Sequence, residues 1–138
     1  MISIDLPGGS FGGGYSAWRI PLYKLFTRYA TQTIHLLRAD SHDPKTFEEV
    51  RGILGDMPLD FLFIDGDHTY EGVKKDFEMY SPLVRKGGIV AFHDIVEHPP
   101  ETGCEVSKFW NEIKQSYKRL EIVKSWNQNW AGVGVLHV

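Results

Sequence analysis

Leu59-Asp-Phe-Leu-Phe-Ile-Asp-Gly-Asp-His-Thr-Tyr-Glu-Gly-Val73 is the stretch on which the fold turns. Its first six residues form an apolar run of strand length, apolar enough to be covered on both faces of a sheet. The run ends at Asp65, and Gly66-Asp67-His68 leads into a segment of helical spacing. There Tyr70, Val73, Phe77, Tyr80 and Val84 share one stripe while Glu71, Lys74, Lys75 and Glu78 face water. This helix is expected from Tyr70 to about Arg85, with Gly87-Gly88 as its stop. Ile89 to Phe92 then reads as another strand, ending at His93-Asp94. Strand, helix, strand in that order is the crossover unit of α/β proteins with a largely parallel sheet.

The same alternation extends in both directions. Upstream, Ile2 to Leu6 reads as a short buried strand, followed by the glycine-rich loop Pro7 to Gly14. A helix is expected from there to about Ala30, with Pro21 in its first turn and Leu22, Leu25, Phe26 and Tyr29 at helical spacing. Thr33 to Leu37 is a second strand, and a helix near Thr46 to Leu54 carries Phe47, Val50 and Leu54 on one side. Downstream, Pro99-Pro100 precedes a helix near Val106 to Tyr117, and Leu120 to Val123 and Gly132 to Val138 read as an antiparallel pair at the sheet edge.

Composition narrows the function classes. A chain of 138 residues, 42% hydrophobic, favours one domain with a real core. The net charge of -3 and the lack of a basic run give no electrostatic reason to expect nucleic acid. Cys104 is the single cysteine, which rules out an internal disulfide and fits a reducing compartment. No stretch approaches the roughly 20 apolar residues of a membrane span. Met1-Ile-Ser-Ile-Asp5 lacks the basic start of a signal peptide. These features lead to the expectation of a soluble, cytoplasmic domain.

Chemistry is expected where strands end, because ligands of parallel sheets bind beyond the carboxyl ends of the strands. Asp5, Asp40, Asp65 and Asp94 all fall at or near such ends. If the strands of Asp65 and Asp94 are neighbours, about 5 Å apart, the two carboxylates can share a hard divalent cation such as magnesium. His68 lies where the next helix begins and can serve as a general base near neutral pH. Plainer readings stand beside these. Asp67 can be a helix cap, Asp65 a turn former and His68 a residue of the helix start. His93 can be a satisfied histidine or a group that orients a ligand. His35, His42, His98 and His137 have no motif around them and read as structural.

The run Asp60 to Val73, continuing to Gly87-Gly-Ile-Val-Ala-Phe-His-Asp94, resembles class I methyltransferases that use S-adenosylmethionine. Within them it is similar to the branch of cephalosporin-hydroxylase-like and macrocin-type sugar O-methyltransferases, the Methyltransferase 24 group. The resemblance covers most of the chain. It implies a Rossmann-like α/β sheet, mostly parallel with a C-terminal antiparallel hairpin, and O-methylation of a small-molecule hydroxyl. It implies that Asp5 binds the cofactor's ribose, that Asp40 and Ser41 border its adenine, and that Asp65 also lies on the cofactor's side. Asp65 and Asp94 match metal-binding acids of the macrocin-type enzymes, and His68 matches their base. His93 stands where those enzymes often carry a glutamate, so it joins the candidate metal set by position. The resemblance also implies that the family's first strand and its glycine-rich turn precede Met1. On that reading residues 1–138 are a single, partial domain, truncated at the N-terminus. Weak cofactor binding and a tendency to form a homodimer are then expected, since a missing central strand leaves backbone groups and apolar surface uncovered.

Two other frames fit parts of the sequence. Gly12-Gly13-Gly14-Tyr15-Ser16-Ala17 reads as G-x-G-x-x-A, with Asp40 in reach of the acidic position of an NAD-type dinucleotide fingerprint. Asp65-Gly66-Asp67 is also a D-x-D, as used by metal-dependent glycosyltransferases that hold a nucleotide-sugar. A third, non-enzymatic reading is a folded remnant that needs a partner to complete its sheet.

Overall fold

The computed structural model describes residues 1–8 and 16–138. The glycine-rich loop from Gly9 onward and most of the G-x-G-x-x-A match therefore lie outside the described residues. The chain forms two compact units, Met1–Ile53 and Leu54–Val138.

In the first unit, β1 (Ile2–Asp5) and β2 (His35–Arg38) pair in parallel, with Asp5 opposite Arg38. Between them the expected long helix is short. A 3-10 turn at Ala17–Arg19 runs into α1, which spans only Ile20–Lys24. Leu25, Phe26 and Tyr29 lie beyond its end and are exposed. Their spacing is helical, but an amphipathic stripe holds a helix mainly when a surface covers it. α2 (Pro44–Leu54) begins at Pro44, whose missing N–H costs nothing in a first turn.

The second unit is built on the order β3-β4-β6-β5. β3 (Leu59–Ile64) runs parallel to β4 (Val84–His93), as the crossover pattern requires. β6 (Val133–His137) runs antiparallel to both β4 and β5 (Lys118–Ile122), which forms the expected C-terminal hairpin. α3 (Tyr70–Tyr80) and α4 (Val106–Ile113) pack on one face of this sheet. The core there contains Ile64, Val73, Val90, Phe92, Phe109, Trp110 and Leu136. Phe77 of α3 touches both Phe92 and Phe109, with ring centroids 5.7 Å apart in each pair. The other face of β3 differs from the expectation of cover on both sides, for Phe61 and Phe63 remain 55% and 46% exposed.

α3 also ends earlier than the stripe suggests. Pro82 cannot continue the helical hydrogen-bond ladder, so the chain tightens into a 3-10 turn at Ser81–Leu83 and Val84 is already extended. Gly87 and Gly88 thus lie within β4 and do not cap the helix. Gly87 takes φ +74°, and a Cβ on Gly88 would lie 2.5 Å from Val84 Cγ1 and 3.1 Å from the Asp60 carbonyl. The register between β3 and β4 shifts here, between Leu59 and Phe61. The glycines therefore accommodate a bulge that sends the chain into its central strand.

Candidate functional site

The site lies where β3 and β4 end side by side. Ile64 pairs with Phe92, so Asp65 and His93 follow on neighbouring strands. Along β4, Val90 and Phe92 face the helices, which turns Ala91 and His93 to the opposite face together with Phe61 and Phe63. Asp94 breaks that alternation. Its φ of +60° is uncommon for a residue with a side chain, and it is buried to 7% exposure. Positive φ at a buried acid is a local cost that the surrounding structure holds in place, as functional sites often do.

His68 arrives from the opposite direction on the turn into α3. Thr69 is the N-cap of that helix, and its hydroxyl accepts a hydrogen bond from the Gly72 amide at 3.1 Å. Asp67 makes the turn before it by accepting from the Thr69 amide at 2.9 Å. Asp67 is thus neither the cap itself nor a member of the acidic site. Gly72 is required beside it, because a Cβ there would fall 2.2 Å from Asp67 Cγ. This packing aims His68 back over the strand ends.

Four of the residues anticipated from sequence converge. His68 Nε2 lies 3.4 Å from Asp65 Oδ1, and its Nδ1 lies 3.5 Å from Asp94 Oδ2. His93 Nδ1 lies 3.2 Å from both Asp65 Oδ1 and Asp94 Oδ1. Donor atoms of Asp65, His93 and Asp94 fall within 4.8 Å of one another, a spacing that a single cation can close. The ion-pair partners of both acids, among the described residues, are imidazole rings and not lysine or arginine.

The electrostatics follow from this enclosure. The hydrogen bond to Asp65 raises the His68 pKa most, the contact with the Cys104 side chain and the Asp94 charge add to it, and partial burial opposes them. The ring is pushed up to about 10. At neutral pH these contacts favour His68 as an imidazolium between two carboxylates. It can work as a base only when another positive charge offsets those acids.

Two members of the cluster carried no sequence signal. His98 Nε2 lies 3.4 Å from Asp94 Oδ1. Cys104, on the loop before α4, joins His68 and Asp94 in a second group of ligand atoms within 4.8 Å. The clue available in the sequence was position alone, for the segment Glu97 to Glu105 directly follows the site strand.

Of the residues expected on the cofactor side, Asp5, Asp40 and Ser41 belong to the first unit and Asp65 to the second. Asp5 ends β1, and its carbonyl accepts a hydrogen bond from the Ala39 amide at 3.0 Å. Asp40 and Ser41 follow β2 on the same rim. The Asp40 carboxylate accepts from the His42 amide at 2.8 Å. This bond shapes the turn into α2, and Asp40 stays exposed.

Residues 12–95 match the family of the Methyltransferase 24 group, described as a methyltransferase domain. Over 89 residues the chain is 35% identical to an uncharacterized protein of Acanthamoeba polyphaga mimivirus, covering 59% of this chain and 40% of that protein. Over 71 residues it is 38% identical to an uncharacterized protein of Sinorhizobium fredii, covering 50% of this chain and 7% of that one. The chain thus matches less than half the length of either curated relative. Among solved structures, one described as a caffeoyl-CoA O-methyltransferase from Staphylococcus aureus superposes with a TM-score of 0.58 at 21% identity. That alignment covers 99% of this chain and 64% of the other. Among the described residues, no helix is long and apolar enough to cross a membrane. With its strand ends, its hairpin and the matched residues 12–95 in agreement, the chain belongs to the methyltransferase domain family and has the Rossmann-like α/β fold of class I, S-adenosylmethionine-dependent methyltransferases.

Proposed function

We propose that this chain forms the acceptor side of an S-adenosylmethionine-dependent O-methyltransferase acting on a small-molecule hydroxyl with the help of magnesium. The observation that carries the reading is the meeting of Asp65 and Asp94, from adjacent parallel strand ends, with His68 and His93 at 3.2 to 3.5 Å.

The residues fit such an ion. Two carboxylates and a ring nitrogen within 4.8 Å of one another are donors that one hard cation could take together. Asp65, Asp94 and His93 would hold magnesium, which supplies Lewis acidity that lowers the pKa of an acceptor hydroxyl. The protein's own part is placement, because the sulfonium methyl of the cofactor is already activated. Asp65 and Asp94 fix the acceptor oxygen at the strand ends. His68, neutral once the charge of the two acids is offset, accepts the hydroxyl proton at Nε2 or Nδ1. On the cofactor side, Asp5 is assigned to the ribose hydroxyls, with Asp40 and Ser41 beside the adenine. Cytoplasmic location belongs to the same reading.

The test is methyl transfer from labelled S-adenosylmethionine to a panel of hydroxyl acceptors by the full-length protein, with and without magnesium. Loss of transfer on chelation and in Asp94→Asn is expected, with a fall of about 100-fold or more in His68→Ala, the usual size of a general base's contribution. Equal rates in His68→Ala would remove the base assignment, and binding of a UDP-sugar in place of S-adenosylmethionine would overturn the reaction class.

A further inference from the structure

His68, Asp94 and Cys104 place an imidazole nitrogen, a carboxylate oxygen and a sulfur within 4.8 Å of one another. This set differs in kind from Asp65, His93 and Asp94. A thiolate and an imidazole suit zinc, cobalt and similar borderline or soft cations, whereas magnesium takes oxygen and keeps its water. We propose that His68, Asp94 and Cys104 form a second cation site, selective for a zinc-class ion and mutually exclusive with the magnesium set because both need Asp94.

The position of the thiol is built. The Glu105 amide donates to the His68 carbonyl at 2.7 Å, so the backbone beside Cys104 is tied directly to the residue it faces. The Tyr70 amide donates to Glu105 Oε2 at 3.3 Å and fastens the same two segments again. On the other side of the cysteine, the Cys104 amide donates to Thr102 Oγ1 at 3.2 Å, and Gly103 turns the chain at φ +68°. Asp94 is held in its left-handed conformation at the opposite side of the group.

His98 packs against the same carboxylate. Its Nδ1 lies 2.8 Å from the Val96 carbonyl, which can only accept a hydrogen bond, so Nδ1 carries a proton. Its Nε2 lies 3.4 Å from Asp94 Oδ1. A backbone carbonyl that fixes the tautomer is also the usual arrangement behind a metal-binding imidazole. His68, Asp94 and Cys104 are donors of the kinds that tetrahedral zinc takes, and His98 lies against Asp94 outside that group. Bonds of about 2.0 to 2.3 Å in a tetrahedron set donors roughly 3.5 Å apart. The observed donor atoms, within 4.8 Å of one another, must draw together to reach that spacing.

Occupancy has a consequence that rests on the proposed function. A zinc-class ion here takes the His68 ring and Asp94 away from the acceptor hydroxyl, so it inhibits methyl transfer in competition with magnesium. Binding itself does not depend on that reading.

The experiment uses the full chain, reduced and treated with chelator, titrated with cobalt(II) under anaerobic conditions. A thiolate-to-cobalt charge-transfer band and the intense visible bands of four-coordinate cobalt are expected, both bleached by stoichiometric zinc. Cys104→Ser should remove the charge-transfer band and weaken zinc binding by about tenfold or more. His68→Ala should weaken it similarly, with far-ultraviolet circular dichroism checking that both variants fold. Asp65→Asn should retain the thiolate band while weakening magnesium binding, which separates this site from the magnesium set. Cobalt binding without a thiolate band, or equal zinc affinity in Cys104→Ser, would overturn the proposal whether or not methyl transfer is ever observed.

Discussion

Replacing Gly134 by alanine should test how closely the sheet and α4 are fitted behind the site. Gly134 lies in β6, opposite Phe92 of β4 and Glu121 of β5. A Cβ there would fall 2.7 Å from Cη2 and Cζ3 of Trp110 and 2.8 Å from its Cε3. Carbon atoms pack best at about 3.5 to 4.0 Å, so the overlap is close to 1 Å against several ring atoms at once. The indole cannot easily retreat. It is 0% exposed, its Nε1 donates to Glu121 Oε1 at 2.7 Å, and Phe92 lies against it at 5.8 Å between ring centroids. Overpacking of this kind costs about 1 to 3 kcal/mol. Alanine's advantage over glycine in a strand, roughly 0.5 to 1 kcal/mol, offsets only part of it. At the middle of these ranges the net cost is about 1.25 kcal/mol, and since each kcal/mol moves Tm by roughly 4 to 8 °C in a unit of this size, a fall of about 5 to 10 °C is expected. Urea unfolding followed by far-ultraviolet circular dichroism measures the change in midpoint. The same substitution made in a Trp110→Phe background should cost at least about 1 kcal/mol less, since the smaller ring leaves room for the methyl. An unchanged midpoint in Gly134→Ala, or the same cost in both backgrounds, would refute the reasoning.

Three further outcomes follow from particular contacts. Gly72→Ala should lower Tm despite alanine's helix propensity, because its Cβ would meet Asp67 Cγ at 2.2 Å and break the turn that aims His68; a Tm equal to or above that of the parent would contradict this. Burial tends to raise the Glu121 carboxyl, but the hydrogen bonds from Trp110 and Lys114 outweigh it and leave its pKa below the ordinary value of 4.5. Its contribution is therefore present above that value and lost as pH falls through the lower folded one. The stability gap between parent and Glu121→Gln, read by urea unfolding, should be full at pH 7 and close on acidification, and a gap that persists in acid would exclude the charge as its cause. β3 is an edge strand of its sheet and carries exposed Phe61 and Phe63, so self-association is expected; light scattering should detect dimers that Phe61→Lys reduces, and a strictly monomeric parent at high concentration would refute it.

Much of the architecture around Asp65 is written in short-range pattern. The apolar run Leu59 to Ile64 is a strand with those bounds, and β5 and β6 pair antiparallel as expected, with β5 beginning at Lys118 rather than Leu120. Acids at strand ends follow from the same pattern, since a parallel crossover brings consecutive strand ends to one rim. Other features depended on contacts between distant segments. Leu22, Leu25, Phe26 and Tyr29 have helical spacing, yet α1 stops at Lys24, because periodicity describes a face and not what covers it. The stripe through Val84 crosses Pro82, where backbone chemistry overrides the pattern.

The candidate site divides along the same line. The sequence alone determined that Asp65, His68, His93 and Asp94 lie near the ends of two strands joined by a helix, because residue type and spacing along one crossover set those positions. Only the tertiary structure decided that Asp94 turns inward at φ +60°, that His98 and Cys104 come back to it, and that His68 is favoured as an imidazolium between two acids. The physical reason is that periodicity is encoded by neighbours in the chain. The convergence of side chains, and the pKa values that follow from it, depends on loop conformations and backbone ties such as Glu105 to His68, which exist only once the chain has folded.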